Sequence, residues 1–151
     1  MGMASCALLL AACTSGPVRR VSEPSARIQQ LTVAADGSWS TELRIENFSS
    51  IPMRFDTLRL DLEVEEHAAG TLQAAPGVTI GPESADVVTV AVAPTAAAKF
   101  AVAKALADGL SIEYSLQGTM TATPNEGRQR EFEMERRSAL SPAPGLPGVM
   151  R

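Results

Sequence analysis

The chain is short of the residues from which most catalytic and metal sites are made. It has one histidine, His67, and two cysteines, Cys6 and Cys13, both within the first thirteen residues. From residue 14 onward no thiol exists to form a disulfide, ligate a metal or act as a nucleophile. A two-histidine metal site cannot be built, and any Ser-His-Asp triad would have to use His67. That residue follows Glu65-Glu66 at a strand end, where an exposed turn histidine is the ordinary reading. Lysine occurs only at Lys99 and Lys104, the net charge is −4, and no basic cluster exceeds the pairs Arg19-Arg20 and Arg136-Arg137. This is the wrong charge pattern for nucleic acid. No glycine-rich phosphate loop is present. No apolar run reaches the roughly 18 residues that a membrane-spanning helix needs.

What the chain does have is alternation. In Leu58-Arg-Leu-Asp-Leu-Glu-Val-Glu the apolar residues Leu58, Leu60, Leu62 and Val64 share one side and Arg59, Asp61, Glu63 and Glu65 the other. Period two over eight residues predicts an antiparallel strand with one buried face. The same pattern recurs from Trp39 to Glu46, from Leu110 to Gln117, and around Phe132 and Met134. Val87 to Val92 is a continuous β-branched run and is expected as an inner strand. Weaker strand signals lie at Ile28–Val33, before the Asp36-Gly37 turn, and at Gly70–Ala74. Asp61, Glu63 and Glu65, and Glu131, Glu133 and Glu135, could in principle form acid/base or calcium pairs. At period two beside an apolar face they read as the solvated side of a sheet.

One segment differs. Residues 95–108 combine high helix propensity with an apolar face of Phe100, Val102, Ala103 and Leu106, a start at Pro94-Thr95 and a stop at Asp108-Gly109. The expected core is Trp39, Leu43, Ile45, Leu58, Leu60, Leu62, Val88, Val90, Phe100, Leu110, Ile112, Tyr114 and Phe132. The fold expected is mainly β, a two-sheet antiparallel sandwich of the immunoglobulin or fibronectin kind. It would have about seven strands and one inserted amphipathic helix. The sandwich should span 26–137. Residues 13–25, with two prolines, read as a tether. Residues 138–151, with three prolines and two glycines, read as a disordered tail.

Two resemblances extend this reading. Leu8-Leu-Leu-Ala-Ala-Cys13 resembles a bacterial lipobox. That likeness implies that residues 1–12 are a signal peptide and that Cys13 becomes the lipid-bearing N-terminus, acylated with palmitate-like chains. The protein would then be tethered to a membrane through its lipid. Thr14, where an inner-membrane lipoprotein usually has aspartate, implies the outer membrane, facing the periplasm. The order of the remaining parts resembles the WHy domain, also called late-embryogenesis-abundant type 2. Leu43-Arg-Ile-Glu-Asn47-Phe-Ser-Ser-Ile-Pro52 matches its first strand and turn, with Phe48-Ser49 in place of the usual Pro-Asn. Leu58–Glu65, Gly70-Thr-Leu, Ile80-Gly-Pro-Glu-Ser, Val87–Val92, the helix, and Leu110–Gly118 follow in order.

Asn47 suits a strand-ending turn because it tolerates left-handed backbone and bonds its own chain, and Pro52 marks an edge or crossover. Both are structural in this reading. The resemblance implies a non-enzymatic envelope protein, in desiccation or osmotic stress protection or in envelope organisation, with no cofactor and no metal. The alternative is an accessory module whose sheet edge or groove binds a lipid, peptide or partner protein. A monomer is expected.

Overall fold

The computed structural model describes residue 16 and residues 18–151. The signal peptide expected at 1–12 and the lipidated Cys13 lie outside the described residues. Strands form where the alternation is strongest, because only a pleated chain puts every second side chain on one face. They are β1 (Ser25–Val33), β2 (Trp39–Asn47), β3 (Met53–Val64), β4 (His67–Ala74), β5 (Val78–Ile80), β6 (Ser84–Val92), β7 (Ile112–Pro124), β8 (Arg130–Leu140) and β9 (Val149–Met150). The helix α1 (Ala96–Asp108) joins β6 to β7.

Two antiparallel sheets result. One has the order β6-β2-β1-β9; the other has β4-β3-β7-β8, with β5 continuing beside β3. Between them lies one core in which Trp39, Leu43, Ile45, Phe55, Leu60, Leu116 and Met120 are at most 1% exposed. The expected β-sandwich is therefore present. Among the described residues it has nine strands rather than about seven, the short β5 and β9 being the additions.

Two strands change phase partway. In β1 the buried residues are Ala26 and Ile28, then Leu31; in β3 they are Met53 and Phe55, then Leu58. Bulges at these points, between Ile28 and Gln30 and between Phe55 and Thr57, keep the apolar side facing inward on both halves. Tyr114, buried on β7, accepts the Ile28 N–H with its hydroxyl at 3.0 Å beside the first bulge. The β3–β4 hairpin turns on Glu65 and Glu66, both left-handed with φ of 49° and 66°, as a two-residue hairpin loop requires.

The helix begins and ends where its caps predict. Thr95 accepts the Ala98 N–H through its side chain, and Gly109 adopts φ 67° at the C-terminus. Its buried face is only partly the expected one: Val102 is buried and Leu106 half-buried, but Phe100 and Ala103 are exposed. Ala98, Val102 and Ala105 face inward, while Phe100 is 71% exposed and Leu110, just past the cap, is 55% exposed. The helix is apolar on both sides, so periodicity alone gave Phe100 too much weight. Alanines bring its axis close to β4, and Thr95 fixes that approach by bonding the Ala68 and Ala69 carbonyls.

Three more expectations need correction. β6 is an edge strand, not an inner one, and Val88 on it is only half-buried. The tail is ordered: β9 pairs with Leu31 and Thr32 of β1, Met150 is fully buried, and Ser141 and Arg151 exchange backbone bonds at 2.7 and 2.8 Å. Its glycines make turns there, with Gly145 and Gly148 left-handed. The tether from residue 18 onward is also part of the fold.

Candidate functional site

The most heavily built polar site is where the chain crosses between sheets. β2 belongs to the first sheet and β3 to the second, and residues 47–52 carry the chain across. Asn47, 1% exposed, directs its side-chain amide at three carbonyls: Ile51 at 3.0 Å, Ile80 at 3.1 Å and Gly81 at 2.9 Å. Its Oδ1 accepts the Ser49 N–H at 2.9 Å. One side chain thus ties its own turn to the β5–β6 loop. Pro52 has no N–H to lose at this crossover, and its carbonyl accepts the Asn125 N–H at 2.9 Å from the β7–β8 loop. Asn47 and Pro52, expected as turn residues, both lie at this crossover.

Sequence reasoning missed what the neighbouring serines hold. Ser49 is fully buried; its hydroxyl accepts the Ser22 N–H at 2.8 Å and lies 3.0 Å from the Met53 sulfur. The Ser50 hydroxyl accepts the Arg20 N–H at 2.7 Å and donates to the Val18 carbonyl at 2.7 Å, while its own N–H meets the Arg20 carbonyl at 3.0 Å. Arg19 bonds the Asn125 carbonyl and lies 3.9 Å from Glu126; Arg20 lies 3.5 Å from Glu83. These ion pairs are exposed and contribute well under about 1 kcal/mol each. Residues 18–22 are thus a strap across one end of the sandwich, opposite α1.

Asp56 is a second residue that the alternation hid. It sits in the β3 bulge, with the Thr123 hydroxyl at 2.6 Å, Gln129 Nε2 at 3.0 Å and Arg54 Nε at 2.6 Å. Partial burial works to raise its pKa, but these donors and the guanidinium charge outweigh it and hold the carboxyl below 3.8. The jump of apolar residues from odd to even numbers across Asp56 is the signal that could have found it.

No catalytic arrangement assembles around the other candidates. His67 is exposed at the start of β4, opposite Val64. Asp61, Glu63, Glu131, Glu133 and Glu135 all lie on the outer, solvated face. Among the described residues no three His, Cys, Asp or Glu side chains converge as a metal site, and no helix is long and apolar enough to cross a membrane. An open groove of about 680 Å³ lies between the start of β1 and β8, floored by Ala26, Gly118 and Met134. Its rim carries Glu23, Glu133 and Glu135 with Arg136, so it is polar and wide.

A model of the late embryogenesis abundant protein family, LEA_2, matches residues 42–136, more than half of the chain. No curated protein sequence matches significantly. Among solved structures, a crystal structure from Bordetella pertussis aligns with a TM-score of 0.50 at 12% identity. It covers 86% of this chain and 100% of that one. A solution structure from Arabidopsis thaliana aligns with a TM-score of 0.49 at 16% identity, covering 83% and 80%. A crystal structure from Archaeoglobus fulgidus gives 0.48 at 12% identity, covering 82% and 98%. At these identities the first of them speaks for the fold alone.

Proposed function

Because the chain belongs to the late embryogenesis abundant protein family, LEA_2, we propose that it is a lipid-anchored, non-enzymatic protein of the bacterial cell envelope. Its role is protection or organisation of that envelope under drying or osmotic stress. The anchor is Cys13, and the membrane is the outer one, facing the periplasm. The stress role comes from the family, since a fold of this kind carries many functions.

The observation that best supports the anchored reading is the strap. Val18, held by the Ser50 hydroxyl, is five residues from Cys13. Five residues span at most about 18 Å when fully extended. A protein pinned this close to its lipid has the Asn47 end toward the bilayer and α1 away from it. Three acyl chains at about 0.8 kcal/mol per buried CH₂ make such attachment effectively permanent. Among the described residues the groove is polar and wide and the carboxylates are solvated, surroundings that suit a scaffold better than a reaction.

The test is survival of drying and osmotic shock in a deletion strain. Complementation by the parent, or by a variant with His67→Ala, Glu65→Ala and Asp61→Ala together, should restore survival. Cys13→Ser should not. A deletion strain that survives like its parent would refute the stress role, and loss of complementation on His67→Ala with folding intact would refute the non-enzymatic one.

A further inference from the structure

A sheet edge is a row of unpaired backbone groups, and folded proteins normally block it. Most edges of this sandwich are blocked. β8 carries six charged side chains among eleven residues. β4 is bulged against β3, and Thr95 occupies its Ala68 and Ala69 carbonyls at 2.6 and 3.1 Å. β1 is bulged, covered at Leu31 and Thr32 by β9, and gives its Ile28 N–H to Tyr114.

β6 is different. It pairs with β2 over nine residues without a bulge, and it contains no proline and one charged side chain, Asp86. The Val90 carbonyl accepts the Thr41 hydroxyl of β2 at 2.7 Å, so the even-numbered residues turn their backbone groups toward β2. Ala85, Val87, Thr89 and Ala91 then turn theirs outward. Among the described residues the Val87 N–H is met only by the neighbouring Asp86 carboxylate, at 2.7 Å. Val87 is also 37% exposed.

We propose that β6 is a strand-addition edge whose occupant is β6 of a second copy, joined antiparallel about a two-fold axis at Val88. The edge is complementary to itself. This axis sets Val87 of one copy opposite Thr89 of the other and Ala85 opposite Ala91, so small and β-branched side chains meet at the outward-facing positions, while Asp86 stands opposite Val90. The single charge does not face its own copy. The two Asp86 carboxylates lie four residues apart along the joined strands, about 14 Å, beyond the roughly 8–10 Å over which salt screens exposed charges. Val87 exchanges its bond to Asp86 for one across the axis. An isologous pairing of this kind closes at two copies and gives one continuous eight-stranded sheet. One strand pair buries less than the about 800 Å² per partner of a standard interface, so the dimer is weak and concentration-dependent. A monomer, as expected from sequence, then describes only dilute solution.

Sedimentation equilibrium tests this on the full chain carrying Cys13→Ser, from about 5 to 500 µM. The parent should move from monomer mass toward twice that mass across the range. Thr89→Pro removes an outward N–H while leaving the β2 ladder whole, and it should weaken association at least about tenfold with unchanged circular dichroism. Val87→Lys, which keeps every backbone group, should do the same and covers the case in which the proline variant fails to fold. A parent that stays monomeric throughout, even if it takes up some foreign peptide, overturns the proposal. So does a dimer that survives both substitutions.

Discussion

Asn47→Ala removes a side chain whose atoms serve four backbone groups at once. The carbonyls of Ile51, Ile80 and Gly81 lose their donor, and the Ser49 N–H loses its acceptor. A buried polar group left without a partner costs about 1–3 kcal/mol. Carbonyls near a loop recover part of this through water, so the N–H and the most enclosed carbonyl set the loss at about 2–4 kcal/mol. That is a large share of the 5–15 kcal/mol of a typical domain, and at roughly 3–4 °C per kcal/mol for a domain of this size it lowers Tm by about 6–16 °C.

Urea unfolding with calorimetry measures both quantities. Asn47→Asp is the sharper comparison. It keeps the acceptor for Ser49 but aims a carboxylate at three carbonyl oxygens, so it should be at least as damaging as alanine. If Asn47 mattered only for its turn preference, aspartate would be tolerated, because it forms the same turn with its own backbone. An aspartate variant within about 0.5 kcal/mol of the parent would refute the donor role of the Asn47 amide.

Leu60→Ala, in the middle of β3 and fully buried, should cost about 2–5 kcal/mol, while Asp61→Ala on the outer face should stay within about 0.5 kcal/mol. Equal losses in denaturant titrations would contradict the facing of that strand. Met150→Ala should cost about 2 kcal/mol or more, because the side chain is fully buried beside β1; a silent substitution would return the tail to disorder. The Asp56 carboxyl, with its folded pKa below 3.8, adds stability that is full above that value and lost as pH falls through the folded pKa. Asp56→Asn should therefore be less stable than the parent near neutrality and lose less between about pH 6 and pH 3. Parallel stability curves would contradict this.

The strands that were legible in sequence are those whose two faces differ in chemistry. In β2, β3 and β7 a buried face alternates with a charged or hydroxyl face, and the period speaks for itself. The helix ends were legible because Thr95 and Gly109 are caps with a mechanism. Facing failed in part in α1, where alanine lines both sides and the one aromatic residue, Phe100, points to solvent. Position within a sheet failed in β6, since a β-branched run fits a pleated surface at an edge as well as at the centre.

The tail and strap failed for a further reason. β9 is two residues long, too short to show a period, and the strap is held by serine hydroxyls from 27 or more residues away. Composition reports neither contact. Within the candidate site, Asn47 and Pro52 were legible as turn residues, whereas Ser49, Ser50 and Asp56 gain their roles only when distant segments meet.

The anchored reading meets its most direct test in mass spectrometry of the N-terminal tryptic peptide, taken from protein purified out of bacterial membranes. Cleavage after Arg19 should release a peptide that starts at Cys13 and carries three acyl chains. A peptide that retains any of residues 1–12, or that begins at an unmodified Cys13, would contradict the account.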